Sequence, residues 1–179
     1  MIDWAALSEE ETGEWVNGSL VAEEMPNLDH ETVAGWLFVR LYTWCVPRGG
    51  FVFPAGAKYR VQAERGRVPD ISVFFPGGQR PRRGTLVETL PDILVEIVSP
   101  ALSDQKRDRV EKLAEYAAFG VRFYWLIDPL TRVVEILELG PDGRYQVALS
   151  EADGTIAVPG CADLFLDLDA LWAEVDRLL

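Results

Sequence analysis

The sequence contains little histidine and little cysteine. His30 is its one histidine, and Cys45 and Cys161 are its two cysteines, far apart along the chain. A structural zinc site needs about four such ligands, so we expect no zinc site. Two distant cysteines favour free thiols in a reducing cytoplasm over a disulfide framework, and we expect a cytoplasmic protein.

Long hydrophobic runs are also missing. No window reaches about 18 uninterrupted apolar residues, so we expect no membrane-spanning helix and no membrane partner. The first ten residues lack a basic region followed by an apolar one, so we expect no secretory signal. The 179 residues are 49% hydrophobic, enough to form the core of one domain covering residues 1–179.

Basic residues are scarce relative to acidic ones. The chain has 17 Lys and Arg against 29 Asp and Glu, a formal charge of −12, which argues against simple electrostatic binding of nucleic acid. Residues 58–112, however, contain 11 of the basic and 8 of the acidic residues. This segment is either a surface for a negatively charged partner or a set of charged, solvated loops with one helix.

The stretch that organises the rest of the chain is residues 93–98, an apolar and largely β-branched run interrupted by Glu96. Prolines bound it closely on both sides, which favours one short buried strand. Because strand side chains alternate, Glu96 shares a face with Leu94 and Val98. A carboxylate there costs roughly several kcal/mol unless a metal, a cation or hydrogen bonds compensate it.

A second acid, Asp70, lies at the start of another predicted strand. Pro69-Asp70-Ile71 repeats the pattern of residues 91–93, Pro-Asp-Ile. An acid at a strand start beside a buried strand acid can converge with it on one hard cation, and Mg²⁺ usually takes one or two protein carboxylates. Alternatively, each acid caps a turn or binds an arginine.

Residues 105–119 are predicted to form a helix that ends at Gly120. Its core stripe is predicted to be Val110, Leu113, Ala114 and Ala117, and a second face combines Lys112 with Tyr116 and Phe119. Lys112 is either a solvated lysine or a partly covered amine close to a bound phosphate. Lys106 is its nearest rival for a catalytic role.

The remaining patterns predict a mixed sheet with helices, in a single domain of the α/β or α+β class. Asn17-Gly18 predicts a hairpin, and a helix from His30, capped by Asp29, ends before Pro47. The other predictions are an N-terminal helix opened by Ser8 and Glu11, strands 51–54 and 58–62 in an antiparallel meander, a turn at 65–67, a surface connection over 76–90, a strand at 122–128, a hairpin over 133–149 and a final strand and helix within 164–179.

Taken together, these residues resemble the Uma-type family of restriction endonucleases, which belong to the PD-(D/E)XK nuclease superfamily. The resemblance rests on Pro69-Asp70, residues 91–100 (Pro-Asp-Ile-Leu-Val-Glu-Ile-Val-Ser-Pro), residues 108–116 with Asp108, Lys112 and Tyr116, residues 120–129 and, at the two ends, residues 14–18, His30 and residues 158–160. It implies a restriction-endonuclease-like domain, a mixed β-sheet flanked by helices.

The resemblance also implies the site. Asp70 and Glu96 would ligate the metal, the backbone carbonyl of Ile97 could add a third oxygen, and Lys112 would be the catalytic lysine. The superfamily's usual lysine lies two residues after the glutamate, where this chain has Val98. The accessory positions implied near the site are Glu14, His30 and Tyr116.

The function implied is hydrolysis of DNA phosphodiester bonds by an endonuclease that requires Mg²⁺ or Mn²⁺ and that could act as a homodimer to cut both strands. The alternatives are a binding or interaction module on a degenerate nuclease fold, and a metal-dependent phosphodiesterase acting on RNA or nucleotides. The phosphate backbone would be held by a set of basic residues: Arg80, Arg82, Arg83, Lys106, Arg107 and Arg109.

Overall fold

The computed structural model describes Trp4 and residues 13–22, 26–101 and 105–178. Its strands, in chain order, are β1 (Glu14–Val16), β2 (Ser19–Val21), β3 (Phe51–Pro54), β4 (Tyr59–Gln62), β5 (Arg65–Arg67), β6 (Ile71–Phe74), β7 (Ile93–Ile97), β8 (Phe123–Asp128), β9 (Val133–Leu139), β10 (Tyr145–Glu151), β11 (Thr155–Ala157) and β12 (Phe165–Asp167). Its α-helices are α1 (Leu28–Cys45), α2 (Leu113–Phe119) and α3 (Leu168–Val175), and a π-helical turn, Arg107–Lys112, leads directly into α2.

A six-stranded mixed sheet forms the centre of the fold, in the order β10-β9-β8-β7-β6-β3. The pair β7–β8 is parallel and the other pairs are antiparallel. Two smaller sheets accompany it, β2-β1-β5-β4 and β11-β12. This is the mixed α/β architecture that the sequence predicts.

Strand β7 is buried along its whole length, as its apolar pattern predicts. Ile93, Val95 and Ile97 belong to one apolar cluster, while Leu94 and Val98 belong to a second, separate one. The alternation predicted for this strand is therefore confirmed. Glu96 projects on the side of the second cluster, where the residues around it decide how its charge is compensated.

The predicted meander of residues 51–62 is wrong. Strand β3 pairs with β6 in the large sheet, whereas β4 pairs with β5 in the small one, so the chain changes sheets between them. The predicted turn at 65–67 is also wrong, because these residues form β5. Gly66 belongs in this strand for a steric reason: a Cβ at that position would lie 2.5 Å from the Trp4 ring.

Helix α1 begins at Leu28, two residues before its predicted start at His30. Asn27, not Asp29, is the N-cap, and its side chain accepts a hydrogen bond of 2.9 Å from the backbone N–H of His30. The helix ends before Pro47, as predicted. His30 therefore lies in the first turn, at the end of α1 that faces the start of β6.

The helix after β7 is the largest departure from the predicted packing. Its predicted core residue Val110 is 58% exposed, whereas Lys112 and Tyr116 are buried. The π-helical turn accounts for this, because i→i+5 bonding adds a residue to the turn and rotates the faces that follow. The predicted end at Gly120 is confirmed by its left-handed conformation, with φ of 96°.

Most of the other local predictions hold. The hairpin of β1 and β2 turns at Asn17 and Gly18, both with positive φ. The hairpin of β9 and β10 and the final strand and helix also form, and both cysteines are free and buried. The predicted helix at Ser8 and Glu11 lies outside the described residues. Within the described part of the chain, no helix is long and apolar enough to span a membrane.

Candidate active site

A cleft of about 490 Å³ opens between the first turns of α1 and the ends of β6 and β7. Its walls are partly apolar, with Phe38 and Leu130 among them. The charged side chains that line it are Asp29, His30, Glu31, Asp70, Glu96, Arg107, Asp108 and Lys112. The cleft thus brings together acids and bases that the sequence places on four separate segments.

Asp70 occupies the start of β6, at the edge of the cleft. Its Oδ2 accepts a hydrogen bond of 2.7 Å from the backbone N–H of Ile97 and lies 3.2 Å from His30 Nε2. The antiparallel register pairs Ile71 with Val95, so the next position along places Asp70 opposite Glu96. Residues opposite each other in such a pair project to the same face, with Cβ atoms about 4.5–5.5 Å apart.

Glu96 is held by two donors in the floor of the cleft. Its Oε1 accepts a hydrogen bond of 2.7 Å from the Tyr116 hydroxyl, and its Oε2 lies 2.9 Å from Lys112 Nζ. Burial raises the pKa of Glu96 well above its ordinary value, and the charges of Asp108 and Asp70 raise it further, although Lys112 opposes them. The lysine alone therefore does not compensate the negative charge gathered here.

Lys112 is 3% exposed and lies among three carboxylates. Its Nζ is 2.9 Å from Glu96, 3.2 Å from Glu14 and 3.3 Å from Asp108, which precedes it by four residues. Burial lowers the pKa of Lys112, but the three carboxylates outweigh it and hold that pKa well above its ordinary value. The amine is a fixed positive charge in the cleft floor.

Glu14 supports the lysine from the small sheet. Its Oε1 faces Lys112 and accepts a hydrogen bond of 3.3 Å from the backbone N–H of Val68, while its Oε2 accepts one of 2.5 Å from Arg67. Burial raises the pKa of Glu14, but the charges of Lys112 and Arg67 outweigh it, and the pKa lies below its ordinary value. Glu14 is therefore an ionised partner of the lysine.

His30 contacts the site from α1. Its Nε2 faces Asp70, and its Nδ1 is 3.8 Å from the carboxylate of Glu31. Burial lowers the pKa of His30, but the hydrogen bond and charge of Asp70, aided by Glu31, raise it above its ordinary value. When it is protonated, His30 places a positive charge beside Asp70.

All the residues predicted for the site lie in one connected group: Glu14, His30, Asp70, Glu96, Ile97, Lys112 and Tyr116. Sequence reasoning missed three charged members of this group, namely Asp108, Arg67 and Glu115. The spacing of Asp108 and Lys112, four residues apart on a helix, was a signal for the first of them. No local pattern pointed to Arg67 or Glu115.

The predicted phosphate-binding residues do not share one location. Arg107 lines the cleft and lies 3.8 Å from Asp108, and Arg109 forms ion pairs with Glu135 and Asp128. The other members of the set, which are Arg80, Arg82, Arg83 and Lys106, are exposed. Arg107 is therefore the member of the set that is best placed to contact a phosphate inside the cleft.

Three comparisons with known proteins bear on this arrangement. The sequence model of the Uma2 family, whose description is "Putative restriction endonuclease", matches residues 2–169. A crystal structure described as "a putative nuclease belonging to DUF820" from Anabaena variabilis superposes with a TM-score of 0.73, at 22% identity, covering 94% of each chain. A search of curated proteins found no significant match. The structural likeness confirms the predicted restriction-endonuclease-like fold.

Proposed function

Since the chain belongs to the Uma2 family, we propose that it is a nuclease that hydrolyses DNA phosphodiester bonds with the aid of Mg²⁺ or Mn²⁺. The family and the fold support a nuclease. The choice of DNA as substrate and of a divalent ion as cofactor rests on the chemistry of the cleft.

The observation that carries the proposal is that Asp70 and Glu96 lie opposite each other on β6 and β7 and both line the cleft. Glu14, Glu96 and Asp108 surround one lysine, and Asp70 is close enough that its charge raises the pKa of Glu96. Buried charges are paired or coordinate metals, and a divalent ion between Asp70 and Glu96 would compensate these two carboxylates. Because Asp70, Glu96 and the Ile97 carbonyl offer only oxygen donors, these three groups fit a hard divalent ion.

Asp70, Glu96 and the backbone carbonyl of Ile97 are the residues that would hold the ion. Within the described residues, no three acidic, histidine or cysteine side chains form a ready metal-binding group. Two carboxylates suffice for Mg²⁺, which commonly keeps several of its waters. Bound there, the ion supplies Lewis-acid polarisation of the phosphate and a water of lowered pKa.

The chain's own residues would then orient the Glu96 carboxylate and neutralise charge on the phosphate. Lys112 presents a fixed ammonium group that stabilises charge developing on the phosphate oxygens. Tyr116 holds one oxygen of Glu96, which leaves the orientation of that carboxylate defined. Val98, which occupies the usual place of the lysine, is buried in an apolar cluster, and Lys112 reaches Glu96 from the helix instead.

The experiment that tests the function is cleavage of supercoiled plasmid by the purified protein in Mg²⁺, in Mn²⁺ and in EDTA. We expect nicking with either metal and none in EDTA. Glu96→Gln should lose about 10²-fold or more of this activity, since it removes a ligand charge while keeping the shape of the side chain. Single-stranded DNA and RNA are tested alongside.

Three results would contradict the proposal. Cleavage of RNA but not DNA would assign the site to a different nucleic acid. Absence of cleavage on every substrate, despite binding, would favour a binding module on a nuclease fold. Equal activity of Glu96→Gln and wild type would remove the cleft from the reaction.

We expect Arg107→Ala to weaken DNA cleavage while Arg109→Ala does not. Arg107 lines the cleft, where its Nε lies 3.8 Å from Asp108, whereas its near neighbour Arg109 pairs with Glu135 on β9 and Asp128 on β8. Loss of one phosphate contact should weaken binding for all sequences and reduce the salt dependence of binding by about one unit of slope. Fluorescence anisotropy over a range of NaCl, in Ca²⁺, measures this. An equal effect of the two substitutions would show that Arg107 has no special role.

A further inference from the structure

The side chain of Arg67 on β5 is fully buried, with 0% exposure. Its guanidinium donates from Nε and Nη2 to the two carboxylate oxygens of Glu115, at 2.6 and 2.9 Å, and from Nη1 to Glu14, at 2.5 Å. A buried ionic network of this kind is often replaceable by apolar residues without loss of stability. Its presence therefore calls for an explanation other than stability.

Both residues whose carboxylates bind Arg67, Glu14 and Glu115, are connected to Lys112. One oxygen of Glu14 is taken by Arg67, and the other lies 3.2 Å from Lys112 Nζ. Glu115 lies three residues after Lys112, so it belongs to the next turn of the same helical segment. Arg67 thus binds the partner of the amine on one side and the helix that carries the amine on the other.

A lysine that reaches the site from a helix needs such support. Its side chain is a flexible four-carbon stem, and its ammonium is a compact charge whose three donors rotate freely. The π-helical turn ends at Lys112 itself, so the backbone around it departs from regular α-helix. The position of the amine must then be fixed by the groups that surround it.

We propose that Arg67 is a positioning residue for Lys112, which fixes the amine against Glu96 by orienting Glu14 and by anchoring the helix through Glu115. The proposal rests on the nuclease function proposed above. It assigns the small sheet β2-β1-β5-β4 a part in the reaction, because β1 supplies Glu14 and β5 supplies Arg67.

The first test compares Arg67→Met with Arg65→Met in steady-state cleavage assays. Arg65 is the matched control because it lies on the same strand and also contacts Glu115, at 3.4 Å. We expect Arg67→Met to lower kcat by about 10- to 100-fold, as expected for a catalytic group displaced by about 1 Å. KM should change by less than about threefold, because substrate binding is retained. Arg65→Met should keep the wild-type kcat.

The second test measures the position of the amine without any cleavage assay. Acetic anhydride labels lysines in proportion to their accessibility, and mass spectrometry of peptides reads each site. In the wild type, Lys112 should label far more slowly than exposed Lys106. Arg67→Met should raise the labelling of Lys112 several-fold relative to Lys106, and Arg65→Met should leave it unchanged.

A further variant keeps the test decisive if Arg67→Met does not fold. Arg67→Lys retains the charge but cannot bind both carboxylates at once, so its kcat should be intermediate. Wild-type kcat and a protected Lys112 in the Arg67 variants would overturn the proposal, and so would an equal loss in Arg65→Met. If the wild type itself cleaves nothing, the nuclease function fails, and the labelling experiment still decides whether Arg67 holds the amine.

Discussion

Replacing Lys112 with methionine is expected both to abolish metal-dependent cleavage and to destabilise the protein. Methionine keeps most of the length of the side chain but removes the charge that lies within 3.3 Å of Glu14, Glu96 and Asp108. Leaving buried carboxylates without their cation costs about 3–5 kcal/mol of unfolding free energy. Loss of the ammonium should lower kcat by about 10²–10³-fold.

The stability loss of Lys112→Met should depend on pH. The pKa values of Glu96 and Asp108 are raised above 4.5 and 3.8 by burial even with the lysine present. An acid whose pKa is higher in the folded state is favourable to folding below its unfolded pKa, and this contribution disappears as pH rises through the folded pKa. The free energy of unfolding of the variant should therefore be lowest at neutral pH and rise on acidification towards pH about 4.

Divalent ions should also restore stability to Lys112→Met. Urea unfolding with and without Mn²⁺ should show that the metal stabilises Lys112→Met more than it stabilises the wild type, because the ion replaces the missing charge. Lys106→Met is the control, since Lys106 is an exposed lysine in the same stretch of chain. Wild-type stability in Lys112→Met, or loss of cleavage in Lys106→Met, would argue against Lys112 as the catalytic amine.

The acids of the site were predictable because their signals are local. Glu96 stands out as one carboxylate in a short apolar run, and the strand alternation that places it beside Leu94 and Val98 follows from backbone geometry alone. Asp70 stands out because its Pro-Asp-Ile pattern repeats that of residues 91–93. Lys112 was identifiable because the chain resembles a family with a lysine at this position, and because the aromatic side chain of Tyr116 lies one turn away.

The network behind the lysine was not predictable in the same way. Arg67 is buried only because Glu14 and Glu115, 53 and 48 residues away in sequence, meet it in the fold. In a sequence, such an arginine is indistinguishable from one in a turn. The π-helical turn is hidden for a similar reason, since one added residue per turn changes which face is buried without changing the composition.

The other wrong prediction concerned which strands share a sheet, and its cause is also non-local. Strands β3 and β4 are close in sequence, so a meander is the simplest interpretation of them. Their actual partners are β6 and β5, and the bulk of Trp4 against Gly66 helps to hold the second pair in place. Such choices depend on contacts that no short window contains.

Asp70→Asn should abolish metal-dependent cleavage, whereas Asp92→Asn should leave it intact. The two aspartates are equivalent in the pairing of β6 with β7, since each precedes one strand and accepts a hydrogen bond from the backbone at the end of the other. Asp70 accepts from Ile97 at 2.7 Å, and Asp92 accepts from Phe75 at 2.6 Å. Only Asp70 lies at the end of the pair that carries Glu96 and the cleft.

Comparing these two variants separates the effect of charge at the proposed metal site from the effect on the stability of the β6–β7 pair. Asparagine retains a carbonyl oxygen that can accept the same backbone hydrogen bond, so each variant should lose about 1–2 kcal/mol of unfolding free energy or less. Asp70→Asn should also lose about 10²-fold or more of kcat and require more Mn²⁺ for half-maximal activity. Isothermal titration with Mn²⁺ measures the loss of affinity directly. Equal loss of cleavage in the two variants would mean that Asp70 acts only by bracing β6 against β7.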